Sequence, residues 1–346
     1  MKKFLFLATV LISQNILSQK QKYDLVFKNA NIVSMENDKV LENQNIALLN
    51  GKIVVIENAK KDTISFIHSN LNEKSKPTII FIQGSLPISI VLKEKELIWA
   101  NLPFDYKKYI SKINFVLINR KGVPLISEYN DYERIQNNPS KEYLENDNLY
   151  YRVFQVEEVL KYLKKQKWVD NNNIFIVGHS EGYRVVAKVA ERNPKIKKIA
   201  CLAADPLNRI SENIIRLQQE NIALENDSIR VSKIYKEIND YKNLKNFNVK
   251  EKDMMNFVSY NENPPINSFK KYKNPLLISY GTNDVRAFNN NLLPLLINKK
   301  NLELKIYPDL DHNFIKKEFD NEGNPLEDSY HWDRVFKDVV DWLLNE

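Results

Sequence analysis

The pentapeptide Gly178-His179-Ser180-Glu181-Gly182 holds a serine between two glycines, a spacing suited to nucleophilic chemistry. A serine hydroxyl attacks a carbonyl only when it stands clear of the backbone and can lose its proton. The spacing serves the first need: the turn is too tight for bulky side chains two residues either side of the serine. Ile174-Phe175-Ile176-Val177 precedes it, an apolar run rich in β-branched residues, as in a buried strand. Tyr183 to Arg192 follows with apolar residues at helical spacing, and Pro194 ends the pattern. Strand, turn and helix together predict a nucleophile elbow. It aims a helix N-terminus at the negative charge that attack creates.

The second need is an imidazole to take the proton and a carboxylate to hold that imidazole in the right tautomer. On such an architecture both come from loops after later strands, in the order serine, acid, histidine. Asp284 follows Leu276-Leu277-Ile278-Ser279-Tyr280 through Gly281-Thr282-Asn283, and His312 follows Leu304 to Tyr307 through Pro308-Asp309-Leu310-Asp311. Both have rivals. Asp309 and Asp311 share the loop of His312 and would approach its ring from behind; Asp205, after an earlier strand, is the stronger substitute acid. His331 precedes a helix and reads as a helix-start residue, His179 reads as packing inside the elbow, and His68 has no evident partner. The oxyanion hole needs two backbone N–H donors. Glu181, directly after the serine, is the first; the loop after Ile82 offers Ser85, with Leu86 as the alternative. The Glu181 side chain is open to two readings, an ion pair at the site mouth or simple solvation.

These loops need a sheet. Strands are expected at 63–67, 78–82, 113–118, 199–203, 275–280 and 302–307, with helices at 151–165 and 331–344. Strands alternating with helices argue for a mostly parallel sheet covered on both faces. Residues 206–265 interrupt that rhythm with two or three amphipathic helical segments, closed by Asn263-Pro264-Pro265. An insertion at this point is where a cap over the site would sit; a peripheral helical pair is the other reading.

With those motifs in place, the chain from about residue 60 to the end resembles bacterial α/β-hydrolases of the prolyl-oligopeptidase and acyl-hydrolase-like group. The resemblance is carried by Gly178 to Gly182, Gly84-Ser85, Gly281 to Asp284 and Pro308 to His312. It implies an α/β-hydrolase fold and a serine hydrolase with Ser180, Asp284 and His312 as the triad. Two departures stand out. Tyr183 occupies a position where many relatives have glycine, and Gln83 one where many have a histidine that braces the loop. Residues 20–60 are too short for a β-propeller ahead of the hydrolase region, which speaks against a propeller-gated oligopeptidase.

The N-terminus differs in character. Lys2 and Lys3, the apolar run Phe4 to Leu17, and Leu17-Ser18-Gln19 read as a signal peptide over residues 1–19, hence export to the periplasm or beyond. Ser13, Gln14 and Asn15 break that run, which is too short and polar for a stable membrane span. Residues 20–60 read as a β-strand extension before a hydrolase domain at 61–346, with a hairpin turn at Asn50-Gly51 joining strands 46–49 and 52–56. Residues 23–57 resemble the N-terminal strands of metal-dependent amidohydrolases. Those enzymes use a His-x-His pair; the four histidines here, at 68, 179, 312 and 331, are not so spaced. No metal and no cofactor are expected. The single cysteine, Cys201, sits in an apolar run and reads as a buried hydrophobe.

A net charge of +7 raises a nucleic-acid reading, but the lysines are scattered among acids and asparagines with no basic helix or zinc pattern. No nucleic-acid partner is expected. The expected function is therefore a secreted serine hydrolase acting on a small ester, or a short peptide or amide, through an acyl-enzyme on Ser180. The alternative is a non-catalytic binding protein of the same fold, and the oligomeric state is not legible.

Overall fold

Short apolar segments of the sequence become eight strands of one sheet. They are β1 (Lys52–Glu57), β2 (Thr63–His68), β3 (Lys76–Ile82), β4 (Asn114–Ile118), β5 (Val169–His179), β6 (Lys198–Leu202), β7 (Leu276–Gly281) and β8 (Leu302–Tyr307). The computed structural model describes residues 52–57, 62–70, 74–95, 97–220, 227–246 and 252–345, with short strands at Leu25–Val26, Ala30–Val33, Val40–Gln44 and Ala47–Leu48. The proposed signal peptide at 1–19 lies outside these residues.

The strand order is 1-2-4-3-5-6-7-8. β2 runs antiparallel to both β1 and β4, and the remaining pairings are parallel. This is the α/β-hydrolase arrangement expected from the sequence. Because successive side chains on a strand point to opposite faces, a sheet covered on both sides needs apolar residues at every position. Ile80, Ile176 and Ile278 face one core with Val156 and Leu160 of helix α1 (Leu149–Leu163) and Val185, Val186 and Val189 of α2 (Glu181–Arg192). Their strand neighbours Ile79, Phe81, Val177 and Leu277 face the other core. There they meet Val335, Phe336 and Val339 of the C-terminal helix Trp332–Leu344. Cys201 is fully buried in the first core, and burial pushes its thiol pKa well up, so it is a packed hydrophobe as expected.

Residues 52–57, grouped from sequence with the N-terminal extension, form the edge of the main sheet, paired with β2 from Lys52↔His68 to Glu57↔Thr63. Of the strands expected on either side of Asn50-Gly51, Ala47–Leu48 pairs with Leu25–Val26. Apolar residues of 52–57 pack against a core that a two-stranded hairpin would not supply. The Asn50-Gly51 turn lies outside the described residues.

Between β6 and β7 the described chain leaves the sheet for helices α3 (Arg209–Glu220), α4 (Asp227–Asn246) and α5 (Lys252–Glu262), within the insertion expected at 206–265, and a short helix, Pro265–Lys271, leads back to β7. α5 docks on the start of α1, where Ser259 Oγ accepts the Leu149 N–H at 3.0 Å. A small three-stranded sheet (Val91–Glu94, Leu97–Ala100, Ile126–Glu128) was not anticipated. Among the described residues no helix is long and apolar enough to cross a membrane.

Candidate active site

Ser180 stands at the C-terminal end of β5 with φ 55° and ψ −124°, a strained conformation that a serine adopts only when its surroundings impose it. Two backbone bonds do so: its N–H donates to the Leu202 carbonyl at 2.9 Å, and its carbonyl accepts the Tyr183 N–H at 3.0 Å. The flanking glycines are required by contact. A methyl group on Gly178 would strike the Gly182 backbone, and one on Gly182 would strike the Ile82 carbonyl. Tyr183, the bulky departure behind the elbow, is fully buried, packs edge-on to Phe269 and donates its hydroxyl to Asn290 Oδ1 at 2.8 Å. The bulk points into the core beneath the elbow.

The three sequence-predicted residues Ser180, His312 and Asp284 come together. His312 Nε2 lies 2.9 Å from Ser180 Oγ, and Nδ1 lies 3.0 Å from Asp284 Oδ2. A carboxylate only accepts, so Nδ1 carries the hydrogen and Nε2 is left as the acceptor for the serine O–H. Asp284 is buried, and its second oxygen accepts the Arg286 N–H at 3.0 Å. The loops carrying acid and histidine are joined directly. Thr282 N–H donates to the Tyr307 carbonyl (2.9 Å), Asn283 N–H to that of Leu310 (2.9 Å), and Asp309 N–H to Thr282 Oγ1 (2.8 Å).

The rivals are placed elsewhere. Asp205 is fully buried, accepting from Leu207 N–H at 2.7 Å and Asn289 Nδ2 at 2.6 Å, and burial raises its pKa to about 6. Asp311 accepts the Asn313 and Ile315 N–H groups of its own loop. His331 pairs with Ser329, and His68 stacks on Trp168. His179 does more than pack. Its Nε2 donates to the His312 carbonyl at 2.9 Å, so it steadies the backbone of His312. Burial and the neighbouring His312 ring pull the His179 pKa down to about 3, keeping it neutral.

Sequence reasoning did not find what surrounds Glu181. Its carboxylate is buried and accepts from Arg120 Nη2 (2.7 Å), Arg152 Nη1 (3.0 Å) and Arg209 Nη1 (2.8 Å). The ion-pair reading holds, in the interior. Burial alone would raise its pKa, but the three guanidiniums outweigh that and hold it at about 2. Arg120 also binds Asp147 Oδ1 at 2.6 Å, and Asn256 bridges Asp147 to Arg209. The one sequence signal was Arg152, a charged residue among the apolar positions of a helix. Glu181 also opens α2 directly after Ser180, so its backbone N–H lacks an intrahelical acceptor. Ser85 and Leu86 follow β3, next to Gly84, which lies against Ser180.

A strained serine on an elbow, at the C-terminal edge of a sheet with this strand order, defines an α/β-hydrolase-fold serine hydrolase. The profile of the prolyl oligopeptidase family matches residues 141–337, more than half of the sequence, and the chain belongs to that family. No curated protein matches it. Among solved structures, an α/β-hydrolase from Penicillium sp. sh18 is similar with a TM-score of 0.51 and 14% identity, over 85% of this chain and 96% of that one. A protein assigned as a dipeptidyl aminopeptidase IV from Bacteroides ovatus ATCC 8483 is similar with a TM-score of 0.50 and 14% identity, over 90% of this chain. This chain covers only 39% of the Bacteroides protein's length. At such identity these likenesses establish the fold.

Proposed function

We propose that the protein is an exported serine hydrolase that cleaves a small ester, or a short peptide or amide, through an acyl-enzyme on Ser180. The carrying observation is the unbroken relay from Ser180 Oγ to His312 at 2.9 Å and from His312 to the buried Asp284 at 3.0 Å. In this reading Ser180 Oγ bonds to the substrate carbonyl carbon while its proton passes to His312 Nε2. The carbonyl electron pair moves onto oxygen, facing the Glu181 N–H and an N–H of the loop at Ser85 and Leu86. Collapse expels the leaving group, which takes the proton from His312. Water, deprotonated by the same imidazole, then releases the acid. Asp284 keeps Nδ1 protonated and stabilises the imidazolium. Export rests on the residue pattern at 1–19 alone, and N-terminal sequencing of the mature protein tests it.

The central test is Ser180→Ala with p-nitrophenyl esters and a fluorophosphonate probe. The wild type should hydrolyse the esters and take up one label. The variant should take up none and lose roughly 10³-fold or more in kcat. Hydrolysis by the variant at the wild-type rate would remove Ser180 from the mechanism. A panel of esters of graded acyl length beside peptide amides would then define the scissile group.

A further inference from the structure

The Glu181 cluster reaches a part of the site that the triad does not touch. Residues 83–86 leave β3 and run beside the nucleophile: a methyl group on Gly84 would lie 3.2 Å from Ser180 Cβ and 3.6 Å from its Oγ. The carbonyls of this loop are held from behind. Arg152 Nη2 donates to the Gln83 carbonyl at 2.9 Å, the Tyr143 hydroxyl to that of Ser85 at 2.6 Å, and Arg120 Nη1 to that of Leu86 at 3.3 Å. No peptide in the described chain is cis. In a planar trans peptide the N–H points opposite the preceding C=O. Drawing the Gln83 and Ser85 carbonyls into the cluster therefore turns the Gly84 and Leu86 N–H groups away from it. The same guanidiniums bind the carboxylate of Glu181, the residue directly after Ser180. One charged hub thus binds both the loop beside Ser180 and the residue that follows Ser180.

The inserted helices complete the hub. Arg209, at the start of α3, gives the third guanidinium. Asn256 in α5 accepts from Arg209 at 3.1 Å and donates to Asp147 Oδ2 at 2.9 Å. Tyr143 lies at the centre, accepting from Arg120 Nη1 at 2.9 Å and lying 2.9 Å from Asp147 Oδ2. Glu181, with a guanidinium donor on each oxygen, is no receptor for a cationic group of a substrate.

We propose that Glu181, Arg120, Arg152 and Tyr143, closed by Arg209 from the inserted helices, are positioning residues that fix the peptide planes of loop 83–86 against the elbow. They orient the oxyanion N–H dipoles before the substrate oxygen gains charge. The proposal rests on the acyl-enzyme reading above. A fixed dipole stabilises the charged transition state more than the neutral substrate, so its loss falls on kcat rather than KM.

The test uses full-length Tyr143→Phe, which removes one oxygen atom, and Arg209→Gln at the half-exposed rim of the cluster as a second variant. Each is assayed with p-nitrophenyl butyrate and with an alkyl trifluoromethyl ketone, which adds the serine oxygen to form a hemiketal with its oxyanion in the hole. We expect kcat to fall about tenfold in Tyr143→Phe with KM within about twofold, and ketone affinity to fall by the same factor as kcat/KM. Arg209→Gln should show the same pattern to a smaller degree. A lowered Tm with kcat/KM and ketone affinity unchanged in both variants would overturn the proposal and leave the acyl-enzyme reading intact. A wild type that takes no fluorophosphonate label would overturn both.

Discussion

At the scale of single residues, His312 is held at two points, ring and backbone, and only one of them was visible in advance. Asp284 orients Nδ1 from the front; His179 holds the His312 carbonyl from within the elbow. The His179 ring also sits edge-on to Trp332 with centroids 4.9 Å apart, so a phenyl ring would keep the packing and lose only the donor. His179→Phe should therefore fold, and its kcat should fall about tenfold because the His312 backbone gains freedom. With a pKa near 3, His179 is neutral throughout the working range, so the pH–rate profile should keep its shape while its plateau drops. A variant whose acid limb shifts would assign His179 a proton-transfer role instead. The grouping of Ser180, Asp284 and His312 was legible because its members are announced locally, by two glycines around a serine and by a turn after each later strand. Glu181 was not, because its partners lie 61, 29 and 28 residues away and nothing near Glu181 in the chain signals them.

At the scale of elements, the site depends on how closely two loops approach after β7 and β8. Gly281 makes that approach possible: a methyl group there would overlap the Leu310 carbonyl and lie 2.9 Å from Leu310 Cβ. Leu310 is two residues before His312, so relief of that overlap moves the base. Gly281→Ala should destabilise the fold by about 2 kcal/mol through overpacking. It should also cost about 100-fold in kcat, since misplacement by an ångström is enough to lose that much. Thermal melts and ester kinetics check both. A variant that melts lower yet keeps its rate would mean that the His312 loop adjusts independently of β7. The strands themselves were readable to within a few residues, because a sheet buried on both faces leaves continuous apolar runs. The pairing of 52–57 with 63–68 was not, because no local turn signal names that partner, while the core it packs on does.

At the scale of the whole molecule, several buried ionisable groups give stability a dependence on pH. Burial lowers the pKa of His68 to about 4 and that of His179 to about 3, from an ordinary 6.5. The unfolded chain therefore binds more protons at these sites, and their contribution, complete above about pH 6.5, erodes as pH falls from there. Asp205 has the opposite sign. Burial lifts its carboxyl from 3.8 to about 6, so between those values the folded state binds the proton more tightly. Its presence therefore costs stability increasingly as pH rises through that window, reaching about 3 kcal/mol above pH 6. Asp205→Asn removes the charge while an amide oxygen can still accept the Leu207 N–H, with Asn289 turning its own amide to match. The variant should melt several degrees above the wild type at pH 8, and the gap should close by pH 4. A gap that widened on acidification, or no gain at pH 8, would mean that Asp205 is held by its two donors more firmly than burial opposes it. The same variant bears on the chemistry, because Asp205 was the strongest rival to Asp284. If Asp284 alone orients His312, Asp205→Asn keeps its kcat while Asp284→Asn, which leaves the wrong nitrogen protonated, loses about 10⁴-fold.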